Sequence, residues 1–171
     1  MLKLLYPFLS LLLLLALQAC QTEVVDCAQN PSIFLIDTLV KSRTSLAVVQ
    51  DNPKGMRVTL HMSEDMPIQG NCPLYNIQTL SVDYTHHQVK GKGKLIFRND
   101  ALLEFRFKPE NYEAYIVALC DKGGICVDDT KYILHKGVRV GIVADSSSRK
   151  EVVFIDDCFQ SQIDADTKKC L

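Results

Sequence analysis

The chain is predicted to be all-β: an antiparallel sheet closed into an up-and-down barrel, with a two-sheet sandwich as the alternative. Three observations predict it. Apolar and polar residues alternate with period two over much of the sequence, as half-buried strands require. The alternating segments recur every ~8 to 14 residues with Gly, Asn, Asp or Pro between them, the spacing of strands joined by short turns. No helical pattern between them is long enough to be the crossover that parallel strands need.

The amino terminus is read first, because it sets the compartment. "MLKLLYPFLSLLLLLALQAC" has a basic head at Lys3, an apolar middle from Leu9 to Leu17, and small residues before Cys20. This is the pattern of a secretory signal over residues 1–20, and its apolar run is shorter than the roughly 20 residues a membrane span needs. The alternative reading of "LQAC" is a lipoprotein box in which Cys20 carries lipid. Residues 21–171 then suit a single domain with one core. Of the seven cysteines, the loss of Cys20 leaves Cys27, Cys72, Cys120, Cys126, Cys158 and Cys170. An even number in a secreted, extracellular chain reads as a disulfide framework, and six cysteines allow 15 connectivities. One of these joins Cys120 directly to Cys126 within "YIVALCDKGGIC". The formal net charge of −1 and the absence of a polybasic run give no reason to expect nucleic acid or stable membrane insertion.

The strands follow in order. "GMRVTLHM" (55–62) sets Val58, Leu60 and Met62 against Arg57, Thr59 and His61. "LYNIQTLSVDYTHHQV" (74–89) is long for one flat strand, and its apolar phase moves from Tyr75/Ile77 to Leu80/Val82/Tyr84, which predicts a bulge near Thr79. "KGKGKLIFR" (90–98) and "ALLEFRF" (101–107) are joined by the "RND" turn. "YEAYIVALC" (112–120) is read as the most apolar strand, and "KYILHKG" (131–137), "VRVGIVA" (138–144) and "EVVFI" (151–155) complete the sheet. Near the ends, "PSIFLIDTLVKSRTSL" (31–46) is read as able to begin with a short helical turn. "DDCFQSQIDADTKKCL" (156–171) has a helical phase through Phe159 and Ile163.

No constellation of residues points to catalysis, so the chain is expected not to be an enzyme and to need no cofactor. His61 and His135 fall on the polar phase of their strands, and His86-His87 reads as a solvated turn or strand end. No His-x-x-x-His or Cys-x-x-Cys spacing offers a metal site. Were one pocket histidine to bind haem, His135 would be the candidate. There is no Gly-x-Ser-x-Gly nucleophile turn. Asp128-Asp129 and Asp156-Asp157 read as solvated loop acids, without an apolar setting to make either an acid/base group. Gly91 and Gly93 in "KGKGK" resemble a phosphate cradle only superficially, since that segment runs into a strand rather than opening a helix.

Several segments resemble the lipocalins, in particular the insect and apolipoprotein D-like members. "NYEAYIVALC" is similar to a tyrosine-rich family strand that ends in a cysteine. "KYILHKG" is similar to a later family segment, with Lys136 where an arginine is usual, and "GKGKLIF" with "ALLEFRF" resembles the middle strands. The family's Gly-x-Trp motif is absent, because the chain has no tryptophan. The resemblance implies Cys27–Cys120 and Cys72–Cys170 disulfides, leaving Cys126–Cys158. It also implies a secreted transport protein for a small hydrophobic ligand of the fatty acid, retinoid or sterol class. Alternation then assigns Phe97, Phe105, Phe107, Tyr115, Val117 and Leu134 to the cavity wall, with the Tyr115 hydroxyl orienting the ligand; the alternative is that the same residues fill a solid core. Two other readings compete. One is a disulfide-stapled binder of a protein partner (a protease inhibitor or an immune- or host-directed ligand), acting through loops "SEDMPIQGN" (63–71) and "DKGGI" (121–125). The other is an MD-2-type lipid-recognition sandwich, on the strength of Asp26-Cys27.

Overall fold

Alternation and two-residue turns build most of the chain. The computed structural model describes residues 33–36, 40–53, 55–66, 75–128, 131–144 and 150–168; the expected signal segment and Cys20, Cys27, Cys72 and Cys170 lie outside them. Strands β3 (Arg57–Met66), β4 (Tyr75–His86), β5 (Val89–Arg98) and β6 (Ala101–Pro109) follow one another directly. After a helix come β7 (Ile133–His135), β8 (Val138–Ala144) and β9 (Lys150–Asp156). All seven pair antiparallel in one sheet of order β3-β4-β5-β6-β9-β8-β7. The β-rich, antiparallel class expected from the sequence is therefore present. Among the described residues β3 and β7 are the outer strands and no ladder joins them.

The inner face of this sheet is the core. Leu80 and Val82 on β4, Leu95 and Phe97 on β5, and Phe105 and Phe107 on β6 are all essentially inaccessible, as are Val140 on β8 and Val152 on β9. Burying each such side chain stabilises the fold by about 1.5–3 kcal/mol. A short ribbon, β1 (Phe34–Ile36) with β2 (Val40–Lys41), adds Leu35, Ile36 and Val40 to the same cluster. The chain then leans onto the start of β6, where Arg43 N donates to Leu102 O at 2.7 Å and Leu102 N donates to Thr44 O at 3.0 Å. Only after this does the segment turn helical, in α1 (Leu46–Asp51), with Ser45 as its N-cap.

"KGKGK" is explained by packing. A Cβ on Gly91 would stand 2.7 Å from Phe107 Cζ, and one on Gly93 would stand 2.9 Å from Phe105 Cε2. The two rings of β6 lie across the strand where side chains would otherwise be, so glycine is required there.

Four expectations are corrected. First, β4 pairs with β5 in unbroken register from Ile77 to His86, so there is no bulge at Thr79 on that side. The irregularity lies in β3, between Val58 and Leu60, with a second in β6, where Leu103 is the extra residue opposite Ile96 and Phe97. The β3 bulge turns the strand over: Val58 pairs with the inward Val82, whereas Leu60 pairs with Ser81 and Met62 with Thr79. The three apolar residues expected on one buried face are thus split between two faces, and all are exposed.

Second, "YEAYIVALC" is a helix, α2 (Tyr112–Gly123). Its ends decide this. The Asn111 side chain accepts from Ala114 N at 3.0 Å, and Gly124, at φ 66°, ends the helix with Ile125 N donating back to Leu119 O at 3.1 Å. These are N-cap and glycine C-cap signatures. Tyr112, Tyr115, Ile116 and Leu119 then share the face turned to the core.

Third, the two cysteines of this segment bond to each other. Gly124 reverses the chain and brings Cys126 onto Cys120, with Cα atoms 4.4 Å apart. That excludes Cys27–Cys120 and Cys126–Cys158, because each of the described partners is already used. Cys158, in the first turn of α3 (Asp157–Lys168), is also disulfide-bonded, to a cysteine outside the described residues. Cys72–Cys170 falls entirely outside them.

Fourth, Asp156 and Asp157 are not solvated loop acids. Asp156 is buried 3.4 Å from Arg43 Nε and accepts from Phe159 N at 3.0 Å, capping α3. Asp157 accepts from Arg139 Nε at 2.7 Å. The helical phase through Ile163 is present as α3, and Ile163 is buried.

Candidate functional site

Three segments far apart in sequence line one cavity. The first is the β4–β5 turn, His87-Gln88, with φ of 46° and 69°. The second is the C-terminus of α2. The third is the β7–β8 turn, Lys136-Gly137, with φ of 49° and 81°. Positive φ at both positions is the type I′ hairpin geometry, which favours Asn, Asp and Gly. Histidine and lysine pay for it with about 1 kcal/mol of backbone strain each.

Between these segments and β1 lies a cavity of about 560 Å³. Ile33, Phe34 and Leu35 form one apolar side, and Ile125, Val138 and Phe154 form another. The polar part of the lining is basic throughout: His86, His87, Lys122, His135 and Lys136. Among the described lining residues there is no carboxylate. Two close approaches tie the imidazoles to the helix end. A Cβ on Gly123 would stand 3.2 Å from His87 Nε2, and one on Gly124 would stand 4.0 Å from His135 Cε1. Lys122, in the last turn of α2, donates to the Gln88 side-chain oxygen, a neutral partner. A cation at a helix C-terminus is favoured by about 0.3–1 kcal/mol, which accounts for one lysine there and not for five basic groups.

His86 is the deepest of these. Sequence reading placed it in a solvated turn or strand end; it is the last residue of β4, but that strand continues its inward phase through Leu80, Val82, Tyr84 and His86, and the residue is 1 % exposed. Its Nδ1 lies 2.6 Å from the Tyr115 hydroxyl. Phe105, Phe107 and Phe154 meet it edge-on, with centroids 5.5–5.7 Å away. This hydrogen bond anchors α2 to the sheet and fixes the floor beside the cavity.

The residues assigned to a cavity wall from the sequence are placed differently. Phe97, Phe105, Phe107 and Tyr115 are fully buried in the core and do not line this cavity. The Tyr115 hydroxyl faces His86 rather than a ligand. Val117 is 59 % exposed, because helical period turns it away from Tyr115 and Leu119, and Leu134 is 66 % exposed on the short edge strand β7. "DKGGI" is not an independent loop: it forms the last turn and cap of α2 and supplies Lys122, Gly123 and Ile125 to the cavity. Most of "SEDMPIQGN" lies outside the described residues. What sequence reading missed is the basic set, three of whose members are among the chain's four histidines.

A shallower polar groove of about 700 Å³ lies beside Arg57, Asp83 and Lys92. Its ion pair is solvated: the hydrogen bond that Arg57 donates to Asp83, and then the Asp83 charge, raises the guanidinium pKa above its ordinary value. No three His, Cys, Asp or Glu side chains converge to hold a metal among the described residues, and no described helix is long and apolar enough to cross a membrane. No known family model, curated protein or solved structure matches the chain.

Proposed function

We propose that the chain is a secreted, non-catalytic binding protein for a small hydrophobic molecule, which it holds in the cavity between β1, the end of α2 and the β7–β8 turn. One observation carries this reading: an open cavity of about 560 Å³ whose walls are largely Ile33, Leu35, Ile125, Val138 and Phe154. Sites for small molecules fall in the range of about 300–1,000 Å³ and combine apolar walls with a few placed polar groups. The signal-like first twenty residues and the Cys120–Cys126 bond support export. The lipocalin likeness belongs to the same proposal. It is supported by the up-and-down run β3-β4-β5-β6 and by a cavity on the core side of the sheet, and opposed by the helix at "NYEAYIVALC" and by the bond of Cys120 to Cys126 rather than Cys27. The closing pair of a barrel, β3 against β7, is not among the described pairings.

The test uses a neutral apolar probe, so that shape is measured apart from charge. Titration with N-phenyl-1-naphthylamine is expected to give saturable fluorescence with one site per chain. Ile125→Arg, which places a charge on the half-buried wall, is expected to abolish it while far-ultraviolet circular dichroism stays unchanged. Absence of saturable uptake, or uptake indifferent to both Ile125→Arg and Val138→Arg, overturns the reading.

A further inference from the structure

We infer that the molecule this cavity takes is an amphiphile with an acidic head, a carboxylate or a phosphate, seated against Lys122 and Lys136 at the rim with its apolar body on the inner walls. The inference rests on the binding reading above and names the ligand class for that same site.

The first ground is sign. The chain as a whole has a formal net charge of −1, yet every ionisable side chain on the described lining is basic. Composition does not produce that segregation. The second ground is pairing. Among the described residues no carboxylate lies within ion-pair distance of Lys122 or Lys136, and Lys122 donates to the neutral Gln88 amide. Among those residues their positive charge thus has no carboxylate counterpart. An acidic head would supply the missing partner, and hydrogen bonds between ionised groups are about twice as strong as neutral ones. His135 adds a ring N–H donor, which an imidazole retains even when neutral.

The third ground is conformation. Lys136 and His87 each occupy a left-handed turn position, with φ of 49° and 46°, that favours Asn or Gly. Strained positions persist where the surrounding structure over-determines them and cluster at ligand sites, and these two both line the cavity. An amphiphile with a neutral head would leave both lysines unanswered. One with a cationic head would meet five basic groups.

The test compares ligands of one chain length that differ only at the head: hexadecanoate, hexadecyl phosphate, hexadecanol and hexadecylamine, each displacing the neutral naphthylamine probe at pH 7.5. The full chain is expected to bind hexadecanoate or hexadecyl phosphate at least about tenfold more tightly than hexadecanol, and hexadecylamine least. The relative affinity of the first two separates a free fatty acid from a phosphorylated lipid as the source. The K122Q/K136Q variant, altered at two exposed side chains, is expected to lose that preference while its affinity for hexadecanol stays within about twofold. K122R/K136R is expected to keep it and serves as the folding control. Equal affinity for acid and alcohol, or a preference that survives K122Q/K136Q, overturns the acidic head and leaves the binding reading standing. Failure of hexadecanoate, hexadecyl phosphate and hexadecanol alike to displace the probe, or absence of probe uptake, overturns both.

Discussion

The tight turns of the sheet share one geometry and fill it with different residues. Away from the cavity, β5 and β6 are joined by Asn99-Asp100, with φ of 48° and 65°, the residue types that tolerate this geometry best. Both side chains also hold the fold. Asn99 Oδ1 accepts from Asn76 N at 3.1 Å, and Asp100 Oδ1 accepts from Leu46 N at 3.0 Å, fixing the start of α1. Around the cavity the corresponding positions are His87-Gln88 and Lys136-Gly137, where His87 and Lys136 are poor choices for the turn and line the cavity instead. The β5–β6 turn is composed for the fold. The other two accept a conformational cost at positions that line the cavity.

Three substitutions bear on that contrast, from the largest expected effect to the smallest. Tyr115→Phe removes the hydroxyl 2.6 Å from the buried His86 Nδ1. Loss of such a partner costs about 1–3 kcal/mol, so urea unfolding should show that drop together with weakened probe binding, because α2 carries one wall of the cavity. Asp100→Ala removes the bond to Leu46 N and puts alanine at φ 65°. It should lower stability by about 1–2 kcal/mol with probe affinity unchanged, and an affinity loss there would blur the distinction between the turns. Lys136→Asn relieves the turn and should raise stability by about 0.5–1 kcal/mol while weakening hexadecanoate.

Much of the sheet was legible in the sequence, and the cavity was not. Phe97, Phe105 and Phe107 could be assigned to one buried face because strand period alone decides it. "YEAYIVALC" could not be decided by apolar density, since Tyr115, Val117 and Leu119 alternate while Tyr112, Tyr115, Ile116 and Leu119 fit a helix equally well. Asn111 at one end and Gly123-Gly124 at the other were the signals that settle it, and the misassignment carried Val117 and the disulfide pairing with it. His86 was readable as the next inward position after Leu80, Val82 and Tyr84, but its polarity suggested solvent. The site itself joins Ile33, His87, Lys122 and Lys136 across most of the chain. No local pattern encodes such a meeting, because it depends on where α2 ends and on β9 pairing between β6 and β8.

The most direct test is the urea midpoint of wild type and Lys136→Asn, each measured without ligand and with saturating hexadecanoate. A ligand that binds the native state stabilises it in proportion to the logarithm of its concentration over Kd. A turn strained for the sake of an acidic ligand predicts that Lys136→Asn has the higher midpoint without hexadecanoate and gains less from it than wild type does. A variant that is no more stable on its own, or that gains as much from hexadecanoate as wild type, would contradict it.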